Sequence, residues 1–246
     1  MIDYNSYSLT KKQYILVLLC GGCLFFLIGY IFFMNVYLSI LLSIFTFFIP
    51  KFRARKLRDK RKQELVLQFK QALVSLSSSL SSGRSMERAL EYTLEDLRKV
   101  YSNENTYIVQ EFKIMNAQIK NGVSVENVFQ NFRQRAGIEE ITSFVEVFKI
   151  CKRSGGNLVE VIRTTTNMIS DKIEISQEIQ VLISNKKFET RILNIIPFIF
   201  IAVLRYSSPE YMSPLYHGKG LFIMFIALSL LILSFVISQW LMNIQV

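Results

Sequence analysis

Residues 14–49 form one continuous stretch without a single charged side chain. A helix needs about 20 apolar residues to cross the hydrocarbon core of a bilayer, where it satisfies its own backbone hydrogen bonds. The stretch is too long for one ordinary span, and Met34 and Asn35 interrupt it near its middle. We therefore predict a transmembrane hairpin over 14–49, with spans at about 14–32 and 35–49.

A second apolar block lies near the other end of the chain. Residues 220–242 have the length of a full span, and 221–242 carry no charge. Residues 188–205 contain a shorter apolar stretch than a full span needs. The side chains of Arg191 and Arg205 can snorkel into the headgroup layers and so extend this span. The sequence thus predicts four transmembrane helices, with 206–219 as the loop between the last two.

The orientation of these spans follows from a cluster of basic residues in the juxtamembrane segment 50–62. Such clusters stay on the cytoplasmic side of a membrane. We therefore predict that the central domain and both termini, including residues 1–13 with Lys11 and Lys12, are cytoplasmic and that the chain lies in the cytoplasmic (inner) membrane. The cluster consists of Lys51, Arg53, Arg55, Lys56, Arg58, Lys60, Arg61 and Lys62.

Two alternatives concern these end segments. A cleaved signal peptide would have a shorter apolar region and a small-residue cleavage site, so an uncleaved anchor is favoured. The net charge of +10 is also compatible with nucleic-acid binding. Because most of the excess charge is juxtamembrane, anionic lipid is the simpler partner, and we expect no nucleic acid.

Between the apolar blocks, residues 63–187 repeat apolar side chains at helical spacing and contain no proline. Each such stripe is one face of an amphipathic helix that must be buried against others. We predict an all-α cytoplasmic domain in which six antiparallel helices form a bundle.

Three connections in this domain share one pattern: a glycine, any residue, Ser or Asn, and then an apolar residue. Gly accepts the left-handed conformation that ends a helix, and Ser or Asn caps the next one. A phosphate-binding loop would need a preceding strand and, for nucleotide hydrolysis, a Lys followed by Ser or Thr, so we interpret these glycines as helix boundaries. The three turns begin at Gly83, Gly122 and Gly155.

Residues that could carry chemistry are scarce. The single histidine, His217, has no neighbouring cysteine or acidic cluster, and Cys20, Cys23 and Cys151 are predicted to be small packing residues. The spans also lack the polar stripe of a transport pathway. We therefore predict no catalytic residue, metal or cofactor, and a protein that is not an enzyme.

Two strings in the central domain carry a family resemblance. Residues 80–90 read LSSGRSMERAL and residues 153–162 read RSGGNLVEVI, a pair that resembles the type II secretion system protein F domain. Residues 209–215, PEYMSPL, are similar to the stretch before the last span in the tight-adherence (Tad or Flp) pilus branch of that family, the TadB/TadC type. With the order of two spans, domain and two spans, the likeness covers essentially the whole chain.

The resemblance implies a platform in the inner membrane for a type IV pilus-like or type II secretion machine. Its helical domain would meet a hexameric assembly ATPase that powers extraction of pilin subunits. Secretion relatives usually have two copies of the domain, so a second copy of this chain or a sister platform protein would supply the other. Rival interpretations are a membrane-tethered helical adaptor or receptor, and a small transporter subunit driven by a separate ATPase.

The residues predicted to contact a partner lie in the first and third turns. Helix capping and solvated charge are the simpler explanation for each of them. They are Gly83, Arg84, Ser85, Glu87 and Arg88 in the first turn, and Arg153, Gly155, Gly156, Asn157 and Glu160 in the third.

Overall fold

The computed structural model describes residues 2–241, and every regular element in that range is a helix. The all-α prediction is confirmed. Two short 3-10 helices, Ile44–Phe48 and Ser213–Tyr216, accompany the α-helices, and Met242 of the predicted fourth span lies outside the described residues. The α-helices are α1 (Lys11–Phe33), α2 (Val36–Ser43), α3 (Ile49–Ser81), α4 (Met86–Val100), α5 (Tyr107–Lys120), α6 (Val125–Ala136), α7 (Glu139–Ser154), α8 (Leu158–Ser207), α9 (Pro209–Met212) and α10 (Lys219–Leu241).

The chain forms two compact units. The first comprises Met1–Ser8 and Ala54–Glu174, and the second comprises Leu9–Arg53 and Ile175–Val246. The chain passes between them three times: after Ser8, within α3 and within α8. The first unit contains most of the predicted helical domain and, in addition, the N-terminal residues, which the sequence had placed in a separate segment.

The core of the first unit is built from six helices, α3 to α8. Helix α4 shows how the sequence produces it: the buried residues recur every three to four positions, which places them on one face of the helix. They are Met86, Ala89, Leu90, Thr93, Leu94 and Leu97.

Phenylalanines occupy the centre of this core. Phe144 packs against Phe69, Phe129 and Phe148, with ring centroids 5.5, 5.3 and 5.9 Å apart. Most of these contacts are edge-to-face or tilted, the arrangement that the ring quadrupoles favour. Because the rings come from α3, α6 and α7, the cluster joins α3 to a pair of helices that follow much later in the sequence.

In the second unit, α1 and α2 form a hairpin whose break lies at Met34 and Asn35, where the sequence predicts it. Met34 adopts the left-handed conformation (φ 48°), and the Asn35 side chain accepts a hydrogen bond from the Tyr37 N–H at 2.9 Å. The two helices pack closely, because a Cβ on Gly29 would come within 2.8 Å of the Ser39 Cα. A glycine at this position therefore permits the close approach of the two backbones.

Three helical stretches of the described residues are long and apolar enough to cross a membrane: Lys11–Phe33, Val36–Ser81 and Lys219–Gln239. A fourth candidate span is obtained if α8 and the following segment Pro209–Tyr216 are taken together, although the chain bends by 116° between them. The second stretch joins α2, the 3-10 helix and α3, so the predicted juxtamembrane segment 50–62 is part of one helical path from span to domain. Many apolar side chains of these stretches are exposed, among them Leu19 and Phe222, as expected for surfaces that contact lipid.

The α1–α2 turn of the second unit lies near the segment after α8. The guanidinium of Arg205 donates a hydrogen bond to the Tyr30 carbonyl at 3.0 Å and lies 4.8 Å from the centroid of that ring. The Tyr216 hydroxyl is 3.5 Å from the Ile31 carbonyl. The predicted outer loop 206–219 is largely helical and lies at the same end of this unit as the hairpin turn.

Candidate functional site

The first turn of the helical domain is a helix stop followed by a helix start. Gly83 has φ +77°, and its N–H donates to the Leu80 carbonyl at 2.9 Å. Ser85 is the N-cap of α4, and its hydroxyl accepts from the Arg88 N–H at 3.4 Å. The backbone roles that the sequence predicts for Gly83 and Ser85 are therefore present in the structure.

The charged side chains of this turn project to the surface. Glu87 and Arg88 are exposed, and neither forms an ion pair among the described residues. The guanidinium of Arg84 lies 4.0 Å from the ring centroid of Tyr92, about two turns into α4. Such a cation–π contact fixes the arginine against the helix surface, while Glu87 and Arg88 stay free to meet a partner.

The third turn has the same construction with an asparagine cap. Gly155 ends α7 with φ +70°, and the Asn157 side chain accepts from the N–H groups of Val159 (3.1 Å) and Glu160 (3.4 Å). The reciprocal bond of a capping box, from the Glu160 carboxylate to the Asn157 N–H, is not among the hydrogen bonds of the described residues. Arg153 and Glu160 are exposed.

The residues of the predicted basic cluster differ in their surroundings. Arg61 and Lys62, two members of the predicted membrane-surface cluster, are partly buried and donate hydrogen bonds to the N-terminal segment. Arg58 forms an ion pair with Asp59 at 2.8 Å. The remaining members are exposed: Lys51, Arg53, Arg55, Lys56 and Lys60.

The N-terminal segment, residues 2–7, lies on the helical domain within the first unit. Tyr4 is completely buried there, and its N–H donates to the Arg135 carbonyl at 3.0 Å. Its hydroxyl donates to Glu111 Oε1 at 3.0 Å, and its ring packs edge-on against Tyr107 at 5.8 Å. The sequence offers no periodic signal for this contact, because residues 2–7 are neither a helix nor a strand.

Glu111 is a fully buried carboxylate in the core of the domain, and its charge is matched by Arg135. The guanidinium Nη1 donates to Glu111 Oε1 at 2.7 Å, and Nη2 donates to the other carboxylate oxygen. These hydrogen bonds raise the pKa of Arg135 above its ordinary value, so the arginine stays charged. Burial, with the nearby Glu111, raises the pKa of Tyr4, which therefore remains a hydrogen-bond donor.

One sequence signal could have revealed Glu111. It falls on the buried face of α5, between Ile108 and Met115 at helical spacing, where an apolar residue is expected. A carboxylate at such a position needs a cationic partner. The partner could not be identified in the same way, because Arg135 lies on another helix.

The side chains that could ligate a metal ion do not cluster in the described residues. Three or more His, Cys, Asp or Glu side chains able to hold a metal ion do not come together there. Cys20, Cys23 and Cys151 are free thiols.

Comparison with known protein families gives a match for this chain. The family described as type II secretion system (T2SS), protein F matches residues 72–204, which is more than half of the chain. The chain belongs to the type II secretion system protein F family. Proteins of this family are membrane platform proteins of secretion and pilus machines and are not known enzymes.

The family match runs from the middle of α3 to the apolar end of α8. It includes both candidate turns and the Glu111–Arg135 pair, but not residues 2–7, α1, α2 or α10. No match was found among curated proteins or among solved structures.

Proposed function

We propose that this chain is the platform protein of a type IV pilus-like machine of the tight-adherence branch, the TadB/TadC type, in the cytoplasmic (inner) membrane. Its helical domain would couple a hexameric assembly ATPase to the extraction and polymerisation of pilin subunits. The observation that carries the proposal is the type II secretion system protein F match over residues 72–204, in a chain with three to four candidate spans.

The architecture supports a mechanical role. Helix α3 has 33 residues and α8 has 50, lengths of about 50 and 75 Å at 1.5 Å per residue. Each helix contains residues of the core of the first unit and residues of the second unit. A force applied to the domain would therefore reach the spans through continuous helices instead of flexible linkers.

The partners in this proposal are those that the family resemblance implies. Exposed charges at the first and third turns, Glu87, Arg88, Arg153 and Glu160, are the proposed contacts with the ATPase. The five exposed members of the basic cluster would meet anionic lipid. A second copy of the chain, or a sister platform protein, would supply a second helical domain.

A charge reversal tests the ATPase contact. The double variant Glu87→Lys with Arg88→Glu keeps the net charge and changes only exposed side chains. We expect it to insert and fold normally but to lose piliation and co-purification of the ATPase from native membranes. The matched control reverses Glu95 and Arg98, exposed charges farther along α4, and should keep both. Normal pili in the first strain would refute the contact at this turn.

A further inference from the structure

Residues 2–7 contact the helical domain as an extended peptide would, with the Tyr4 side chain inserted into the hydrophobic core of the first unit. Tyr4 is the one fully buried residue of the segment, while Asp3, Asn5 and Ser6 are exposed. A single aromatic anchor surrounded by backbone hydrogen bonds is a common arrangement in peptide recognition. The segment is held by the Tyr4 side chain, by its backbone and by the side chains of Asn5 and Tyr7.

The groove that receives the anchor is formed by other parts of the same unit. Helix α5 contributes Glu111 and Tyr107, and α6 contributes Arg135. From α3, Arg61 donates to the carbonyls of Asp3, at 3.0 Å, and of Ser6. Its guanidinium also lies 5.4 Å from the Tyr4 ring centroid and 5.2 Å from that of Tyr7.

A second clamp fixes the middle of the segment. The ammonium of Lys62 donates to Asn5 Oδ1 at 2.8 Å and to the Gly137 carbonyl at 2.7 Å. The Asn5 amide in turn donates to the Gln134 carbonyl at 3.3 Å. Polar groups of both the segment and the helix ends are thereby satisfied at the same place.

The buried charges that line the groove neutralise each other even without the segment. Glu111 and Arg135 pair with each other from α5 and α6, so removal of Tyr4 would leave no buried charge without a counter-ion. Undocking would expose the side chains of Tyr4 and Ile2 and would break the hydrogen bonds that join the segment to α3, α5 and α6. That is the energetic scale of a reversible interaction rather than of global unfolding.

We propose that residues 2–7 are a reversible latch, a tyrosine-anchored peptide ligand for a groove that α3, α5 and α6 form in the helical domain. Only Ser8, Leu9 and Thr10 separate the latch from α1. The docked latch is the third connection between the two units, and its release would leave only α3 and α8. The groove is then free to bind another extended segment that has a tyrosine flanked on both sides by backbone able to form hydrogen bonds.

Binding in trans tests the latch directly and needs no ATPase or pilin. The full chain lacking residues 2–7 is purified in detergent micelles and titrated into a fluorescent peptide of residues 1–8, with anisotropy as the readout. We expect saturable binding to this variant and little binding to the intact chain, whose groove is occupied. A Tyr4→Ala peptide should lose binding, because the anchor is gone.

A matched pair of peptides isolates the hydroxyl contact with Glu111. Tyr4→Phe removes the donor to a buried carboxylate and should weaken binding roughly tenfold or more. Tyr7→Phe makes the same chemical change at a hydroxyl without a hydrogen bond among the described residues, and should bind like the natural peptide. Equal binding of the Tyr4→Ala and natural peptides, or no binding to a folded truncated chain, would overturn the proposal.

Hydrogen exchange on the intact chain covers the case in which the truncated variant does not fold. The Tyr4 amide, bonded to the Arg135 carbonyl, should exchange more slowly than a free amide but faster than amides in the core of α5. Tyr4→Phe should accelerate it by roughly tenfold, leaving the α5 core amides unchanged. If the Tyr4 amide exchanged as slowly as the α5 core amides, residues 2–7 would be a fixed part of the domain. If it exchanged like a free amide, the segment would not dock at all. Either result would refute the latch.

Discussion

Glu111 is the residue on which the interior of the helical domain depends most sharply. Its carboxylate is fully buried, and its charge is compensated by Arg135, whose side chain is 17% exposed. Desolvation makes such a pair a weak source of net stability, but loss of one partner is expensive, because the other charge stays behind. The Tyr4 hydroxyl uses a further acceptor site of the same carboxylate.

We predict that Glu111→Ala destabilises the helical domain by about 3 kcal/mol, because it leaves the Arg135 guanidinium largely buried without its counter-ion. Pulse proteolysis in urea, on protein in detergent micelles, measures the change. Glu91→Gln is the control: it breaks the exposed pair between Glu91 and Lys120 and should cost at most about 0.5 kcal/mol. Equal losses in the two variants would mean that the burial of Glu111 does not govern its contribution.

At the scale of the elements, the turns between helices are fixed by backbone conformation. Gly83 has φ +77°, and a Cβ built on it would meet no atom within 4 Å. Space is therefore not the constraint at this position. The constraint is the left-handed conformation, which L-residues with a Cβ adopt only at a cost.

We predict that Gly83→Ala destabilises the α3–α4 turn by about 1 kcal/mol through backbone strain alone. Gly83→Asn should cost less than the alanine variant, because asparagine tolerates this conformation better. Both values come from the same urea titration. If the Gly83→Ala variant were as stable as the natural protein, the turn would have to adopt another conformation in solution.

The long helices show how one element can serve two environments. Helix α3 begins in the second unit, carries the basic cluster, and ends with residues buried in the core of the first, such as Phe69 and Leu73. The sequence predicts this continuity, since no proline or glycine interrupts residues 51–82. It also predicts the caps at Ser85 and Asn157, because capping depends only on residues two or three positions away.

At the scale of the whole molecule, the docking of residues 2–7 restricts the membrane topology that the chain can have. A segment that packs on the helical domain must be on the same side of the membrane as that domain. The chain between them, which contains α1 and α2, must then cross the bilayer an even number of times. This supports the proposed hairpin with a cytoplasmic N-terminus.

We predict that a membrane-impermeant maleimide added to intact cells labels Ser208→Cys but not Ser8→Cys or Ser102→Cys, each in a chain whose three native cysteines are replaced. Ser208 lies in the proposed outer loop, whereas the other two belong to the first unit. All three positions are exposed and should be labelled after the membrane is permeabilised. Labelling of Ser8→Cys in intact cells would contradict the topology.

The amino-acid sequence by itself determined the helices, the break at Met34 and Asn35, the caps and the candidate spans. These features depend on composition and on residues within one or two turns of each other, so they can be inferred locally. Only the tertiary structure decided that Tyr4 is buried, that Arg61 and Lys62 hold the N-terminal segment, and that Glu111 pairs with Arg135. Those contacts join residues 24 to 131 positions apart. Their formation depends on how the helices pack, and no local pattern encodes that.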